Sequence, residues 1–398
     1  MERISLEKDK AGRLVLPESL CRRYQLETQE ELLLEKTSTG LAIHPLRPDV
    51  RKVYVELTTR CNLQCRTCVR NIWDDPVEDM DERTFRRLFE QLRELTELRE
   101  IVLGGYGEPL AHPRILDYLA AIRELEVKVT LSTNGVLLDR EHAQALLDLG
   151  VNGITVSMDG TDPETFADVR RGANLRTVLA NVDVLNETRA AARTTIPRVG
   201  IEFVALKQNQ DQLPDLPRLA RRLRANRVIV THLLPHTEEM VEQILYGRDV
   251  RPPLPAVTGW PAHGGDWLLW GTMELPRMHW GAERRCRFIG SNALVVGWDG
   301  RVSPCYALSH SYPYFIFGRR KEVTRHTFGN LNEIDLPTIW TSDDYVRFRA
   351  EVRRFNFPSC VDCDLRDACD ITESNDGCWG WCPSCADCLW AQDIVRCP

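Results

Sequence analysis

Cys61, Cys65 and Cys68 stand in one short stretch, CNLQCRTCVR, at the spacing Cys-x3-Cys-x2-Cys. A closed structural zinc site takes four protein ligands, so three thiolates describe a metal site with one position left open. Two guests fit such a site. One is zinc completed by a remote ligand such as His112 or a distant Cys. The other is a four-iron, four-sulfur cluster whose fourth iron has no protein ligand and can take a substrate or cofactor.

Other segments suited to ligand binding follow. GGYGEP carries Gly104, Gly105 and Gly107, which let backbone approach a ligand closely, and Glu108, a carboxylate for a cationic partner. STNG brings Ser132 and Asn134; SMDG brings Ser157 and Asp159. Those four can meet a ligand's hydroxyls or simply cap turns. In DVRRG either Arg170 or Arg171 can grip a carboxylate, and either can be a surface charge.

The elements that must position these residues are legible as apolar, β-branched runs: VYVEL at 53–57, IVL at 101–103, VKVTL at 127–131, ITVSM at 154–158, VGIEFV at 199–204 and VIVT at 228–231. Helical patterns separate them. The first has Asp81 as cap and Phe85, Leu88, Phe89, Leu92 and Leu95 at helical spacing; later ones run from Asp139 to Gly150, from Asp162 with Pro163, and from Asp211 to Arg224. Six strand–helix units predict an α/β fold, a parallel sheet or partial barrel. The cysteine loop, GGYGEP, STNG and SMDG each follow a strand, so all fall on the C-terminal rim, where such barrels carry their chemistry.

With these motifs in this order, residues 51–240 resemble a radical S-adenosylmethionine (SAM) core, a partial (β/α)6 TIM-like barrel. The resemblance implies that Cys61, Cys65 and Cys68 hold a 4Fe-4S cluster whose open iron is chelated by SAM. It implies Glu108 on the methionine ammonium, Arg170 or Arg171 on the SAM carboxylate, and Ser132, Asn134, Ser157 and Asp159 on the remainder. An electron from the reduced cluster would cleave SAM to a 5′-deoxyadenosyl radical, which abstracts a substrate hydrogen.

Fourteen cysteines without an export signal point to metal rather than disulfides, and ten of them lie between Cys286 and Cys397. After a Pro- and Trp-rich bridging region, 241–285, residues 286–398 carry Cys286, Gly300-x4-Cys305, Cys360-x2-Cys363-x5-Cys369, then Cys378, Cys382, Cys385, Cys388 and Cys397. This resembles the SPASM extension, which holds auxiliary iron–sulfur clusters. It implies Cys286 and Cys305 in a first auxiliary site and Cys360, Cys363 and Cys369 in a second. The pattern expects a Cys at 373, where Glu stands, so the remaining five are left unassigned. A zinc ribbon is the alternative.

Residues 1–48 form a small β-rich module resembling the AbrB-like swapped-hairpin domain, chiefly in DKAGRLVLP. The chain's first fifty residues balance eight Lys and Arg against nine Asp and Glu, and the net charge is −7, which argues against nucleic acid and leaves a docking, dimerising or purely structural role. No apolar run is long enough to span a membrane, and a cytoplasmic setting is expected.

The whole arrangement resembles the radical SAM maturases of tungsten-containing aldehyde oxidoreductases. That likeness implies modification of the tungsten cofactor or of the enzyme carrying it, with ferredoxin or flavodoxin as electron donor. Two alternatives stand beside it. One is a peptide- or protein-modifying enzyme, either a ribosomal peptide maturase or one of the formylglycine- or thioether-forming type. The other is a zinc-binding AbrB-like transcription regulator.

Overall fold

The computed structural model describes residues 7–24, 26, 32–37, 40–247, 272–361, 363–369, 373–376 and 382–397. At the N-terminus β1 (Glu7–Lys8) pairs antiparallel with β2 (Leu14–Val15), α1 (Glu18–Tyr24) follows, and β3 (Leu32–Thr37) forms a hairpin with β4 (Gly40–Pro45). Leu14, Val15, Leu34, Leu41 and Ile43 of these hairpins are exposed.

All six expected runs are strands: β5 (Lys52–Val55), β6 (Glu100–Leu103), β7 (Lys128–Thr133), β8 (Gly153–Ser157), β9 (Arg198–Ala205) and β10 (Ala225–His232). They lie parallel and in chain order. Their Val, Ile and Leu side chains are buried, Val204 partly so, as a sheet covered on both faces requires.

The helices between the strands are α2 (Glu82–Arg93), α3 (Ile115–Arg123), α4 (Arg140–Asp148), α5 (Pro163–Val169), α6 (Leu175–Ala191) and α7 (Leu216–Arg222), with a short α8 (Glu238–Val241) after β10. Asp81, Asp139 and Asp162 cap α2, α4 and α5 by accepting backbone N–H groups of the first turn. The pattern from Asp211 divides: Gln210–Asp215 is a 3-10 turn and α7 begins at Leu216. Pro214 lacks the N–H that one continuous helix would need.

Residues of the expected bridging region and tail extend this same sheet. β11 (Thr272–Glu274) adds parallel to β10, while β12 (Ala293–Val296) adds parallel to β5 on the other side. β13 (Arg301–Ser303) pairs antiparallel with β12, β14 (Tyr312–Ile316) forms a hairpin with β15 (Arg319–Val323), and β16 (Gly329–Asn330) closes on β13. α9 (Arg287–Gly290), α10 (Leu336–Thr341) and α11 (Asp343–Arg354) pack beside them. One hydrophobic core joins Val53 and Leu103 of the barrel to Trp340, Leu389 and Ile394 of the tail. The tail is therefore built onto the barrel through shared strands and shared core.

Candidate active site

The segment after β5 carries the three thiols and is tied down on several sides. Thr59 donates its N–H to the Glu78 carbonyl at 3.0 Å and its hydroxyl to the Pro76 carbonyl at 2.8 Å. Gln64 and Arg66 donate their N–H groups to the carbonyls of Arg171 and Val169, and the Arg66 guanidinium bridges Asp168 and Glu239. Cys61, Cys65 and Cys68 thereby line one cavity of about 240 Å³ at the C-terminal ends of the barrel strands.

The GGYGEP loop meets the cysteine loop directly, because the Glu108 N–H donates to the Arg60 carbonyl at 2.8 Å. A Cβ on Gly107 would stand 2.0 Å from the Thr58 carbonyl oxygen, and one on Gly105 would stand 2.5 Å from Glu56 Oε1. The glycines were expected to bring backbone close to a ligand; the close approach they permit is to the chain's own first loop. Gly105 and Gly107 still line the cavity, whereas Gly104 packs on Ser132 outside the lining.

Glu108 is 2% exposed. Its Oε1 accepts the Thr133 hydroxyl at 2.8 Å and the Leu110 N–H at 3.1 Å, and its Oε2 accepts the Asn134 N–H at 2.7 Å. A carboxylate has about four acceptor positions, so one remains to face the cavity. Burial raises its pKa, against the pull of these hydrogen bonds. A cationic ligand group would restore the ionised form.

Ser132, Asn134 and Ser157 line the same cavity. Asn134 Nδ2 lies 3.8 Å from Cys61 Sγ and donates to Asn62 Oδ1 at 2.8 Å. Of the two arginines, Arg170 enters the lining, with Nη1 3.9 Å from Cys65 Sγ, while Arg171 is exposed. Asp159 departs from the expectation of a ligand contact. It is fully buried outside the lining, pairs with Arg170 Nε at 2.9 Å and accepts the Val204 N–H at 2.8 Å. Its carboxylate is directed at Arg170 rather than at the cavity.

The far wall holds groups that motif reading passed over. Glu202 of β9 has its pKa raised to about 7 by burial and by Asp159, with Arg170 opposing. His232, at the end of β10, is pushed down to about 4 by burial and is a neutral imidazole. The signal for Glu202 was present: a lone carboxylate inside the apolar run VGIEFV. Cys397, expected to bind metal in the tail, also lines this cavity, its sulfur accepting the Trp390 indole N–H at 3.1 Å.

In the tail, Cys305, Cys385 and Cys388 line one small cavity, and Cys286 acts electrostatically on Cys305 and Cys385. Burial pushes the Cys286 thiol up to about 12 and raises those of Cys305, Cys385 and Cys388. Thiols whose burial opposes ionisation in this way gain from a cationic cluster core, which would stabilise their thiolates. Cys360 is buried, Cys369 partly so, and Cys363 and Cys382 are exposed; Cys378 lies outside the described residues. Among the described residues no three His, Cys, Asp or Glu are arranged to hold a single metal ion.

Three thiols fit a cluster in the catalytic cavity. They are soft donors on one wall, with the Leu63 N–H 3.4 Å from Cys61 Sγ and the Arg170 guanidinium beside Cys65, groups that stabilise sulfur carrying negative charge. Residues 55–220 match the radical SAM superfamily, and residues 286–364 match the SPASM iron-sulfur cluster-binding domain. Fold and site together define a radical SAM iron–sulfur enzyme, which takes a 4Fe-4S cluster and SAM in its barrel and auxiliary clusters in its tail, and which needs an electron donor.

The chain belongs to the family of the tungsten-containing aldehyde ferredoxin oxidoreductase cofactor-modifying protein of Pyrococcus furiosus, to which it is 39% identical over 352 residues, 88% of this chain and 97% of the relative. It is also 29% identical to the PqqA peptide cyclase of Gluconobacter oxydans, over 70% of this chain and 76% of the relative. Among solved structures, native anSMEcpe with bound AdoMet and Cp18Cys peptide superposes with a TM-score of 0.57, covering 86% of this chain and 95% of that one; at 15% identity the likeness is one of fold. Family membership sets the zinc regulator aside. Among the described residues no helix is long and apolar enough to cross a membrane.

Proposed function

We propose that this chain is a radical SAM maturase that modifies the cofactor, or the cofactor-bearing polypeptide, of a tungsten-containing aldehyde oxidoreductase. The observation that carries the reading is a three-thiol loop lining one cavity together with Glu108, in a chain aligned along 97% of a protein named for modifying that cofactor.

Cys61, Cys65 and Cys68 would hold the 4Fe-4S cluster, which when bound would supply the single electron for reductive cleavage of SAM to methionine and a 5′-deoxyadenosyl radical. The chain does the rest. Glu108 would accept an N–H of the SAM amino group at its remaining acceptor position, and Arg170, aimed by Asp159, would turn its guanidinium toward the SAM carboxylate. Ser132, Asn134 and Ser157 meet the ribose and methionine portions. Leu234, Tyr306 and Trp390 in the lining keep water from the radical. Glu202, with a pKa of about 7, can hold or release a proton on the far wall at neutral pH.

Cys286, Cys305, Cys385 and Cys388 serve one auxiliary cluster. Cys360, Cys363 and Cys369, with a further ligand from Cys378 or Cys382, serve the other. The electron donor is a ferredoxin or flavodoxin, and a reducing cytoplasm suits the many thiols. Dimerisation through the N-terminal hairpins would cover their exposed apolar residues.

Anaerobic purification tests the reading. About twelve irons per chain are expected for three four-iron clusters. Replacing Cys61, Cys65 and Cys68 together with Ala should abolish 5′-deoxyadenosine formation while the auxiliary iron stays. Undiminished formation by that variant, or zinc without iron in the wild type, would sink it. A second reading, peptide modification, is favoured by the alignment with the PqqA peptide cyclase. The two separate on substrate: the maturase reading expects 5′-deoxyadenosine formation to accelerate with an immature tungsten oxidoreductase, and acceleration by a peptide alone would favour the second.

A further inference from the structure

Glu56 is the charged residue inside the apolar run VYVEL. It is 2% exposed, lies outside the cavity lining, and faces His310 of the tail, itself 3% exposed. His310 Nε2 is 2.7 Å from Glu56 Oε2, and His310 Nδ1 makes a close hydrogen bond to Asp75 Oδ2. An ionised carboxylate only accepts, so a ring meeting one at each nitrogen carries a proton on both. The Trp73 ring lies 4.1 Å from the imidazole centroid and Tyr106 lies 5.4 Å away, an aromatic setting that favours the cation.

The three partners lie on the segments that build the active site. Glu56 directly follows β5, just before the cysteine loop, and Asp75 follows that loop. Glu56 Oε1 accepts the Tyr106 N–H at 2.7 Å, two residues before Glu108. Gly105, at φ +145°, lets the loop press onto the Glu56 side chain. His310 itself follows the turn after Cys305, in the tail.

We propose that His310 is a positioning residue for SAM binding: its doubly protonated ring clamps Glu56 and Asp75, so that the auxiliary tail sets the backbone of the Gly105–Glu108 loop. The inference rests on the reading that this loop and Glu108 receive SAM. Burial works against the charge on His310, but Glu56 and Asp75 outweigh it and raise its pKa to about 9. The other ionisable groups around the clamp are Arg325, 3.5 Å from Asp75 Oδ1, then Arg301 acting on Asp75, and Asp299 between these two arginines. The phenols of Tyr106 and Tyr312 are held neutral, burial raising both well above their usual range.

The test uses the full-length protein with clusters reconstituted, SAM itself as the probe, and iron assayed at every point. Wild-type affinity for SAM should fall about tenfold or more as the pH passes about 9 with iron unchanged. His310→Gln should bind SAM about tenfold more weakly at neutral pH and lose that break. Glu56→Gln should move the break to lower pH, because one of the two carboxylates that favour the charged ring is gone. A wild-type affinity that stays flat through this range, a His310→Gln variant binding like wild type, or a break unmoved in Glu56→Gln overturns the clamp. If His310→Gln does not fold, the wild-type profile and Glu56→Gln decide. Wild type that binds no SAM at any pH overturns the reading of the site itself, an outcome distinct from SAM binding with a flat profile.

Discussion

Glu108 shows how little of a side chain's task can be left to the ligand. Three donors from the chain fix its two oxygens before any ligand arrives, and they come from the segment after β6 and from the end of β7 with the residue that follows it. The carboxylate is thus preorganised, and its burial makes the missing cation worth more. Glu108→Gln puts an amide NH2 where one of these donors already points. SAM affinity should fall about ten- to hundredfold, the range for a hydrogen bond to a charged group, with the iron content unchanged. Titration with SAM checks this, and wild-type affinity in the variant would remove Glu108 from the site. The type and place of Glu108 were legible from GYGEP alone. The roles of Asp159 and Glu202 were not, since the direction of a buried carboxylate depends on what the fold packs against it: Arg170 at the end of α5 for the first, the cavity for the second.

The β14–β15 hairpin illustrates positioning by an element. Asp387, between Cys385 and Cys388, is buried and meets Arg319 at 2.9 Å and Lys321 in a closer pair. Both cations stand on β15, so the hairpin grips the segment bearing two auxiliary thiols. Lys321→Met leaves Asp387 with half its compensation. Removing one partner of a buried pair costs about 3 kcal/mol, and the loosened loop should lose about four irons, one cluster. Urea unfolding and an iron assay check both, and a variant with full iron content would show that the hairpin does not position that loop. At this scale the capped helices could be read because Asp81, Asp139 and Asp162 act within one turn of themselves. β11 and β12 could not: each is short, and each becomes a strand by pairing with β10 or β5 far away in the chain.

Across the whole molecule, His310 ties the tail to the barrel by charge as well as by shared sheet. The ordinary pKa of the group is 6.5 and its folded value is about 9. A pKa raised by folding contributes stability that is fully present below the ordinary value and is lost as the pH rises through the folded one. The shift corresponds to about 3 kcal/mol. Stability in urea should therefore decline between about pH 6.5 and about pH 9, and the decline should be absent from His310→Gln. An equal decline in that variant would assign it to other groups.

What the sequence determined by itself was local: the Cys-x3-Cys-x2-Cys spacing, the strand–helix rhythm, and the placing of every glycine-rich or polar loop after a strand, since spacing and periodicity are properties of neighbouring residues. What only the tertiary structure decided was which distant residues share a space. It grouped Cys305, Cys385 and Cys388 around one cavity, brought Cys397 to the lining of the catalytic cavity, chose Arg170 over Arg171, and paired Glu56 with His310. Each of these joins segments far apart in the chain, where burial and charge act through space and the order of residues carries no record of the distance.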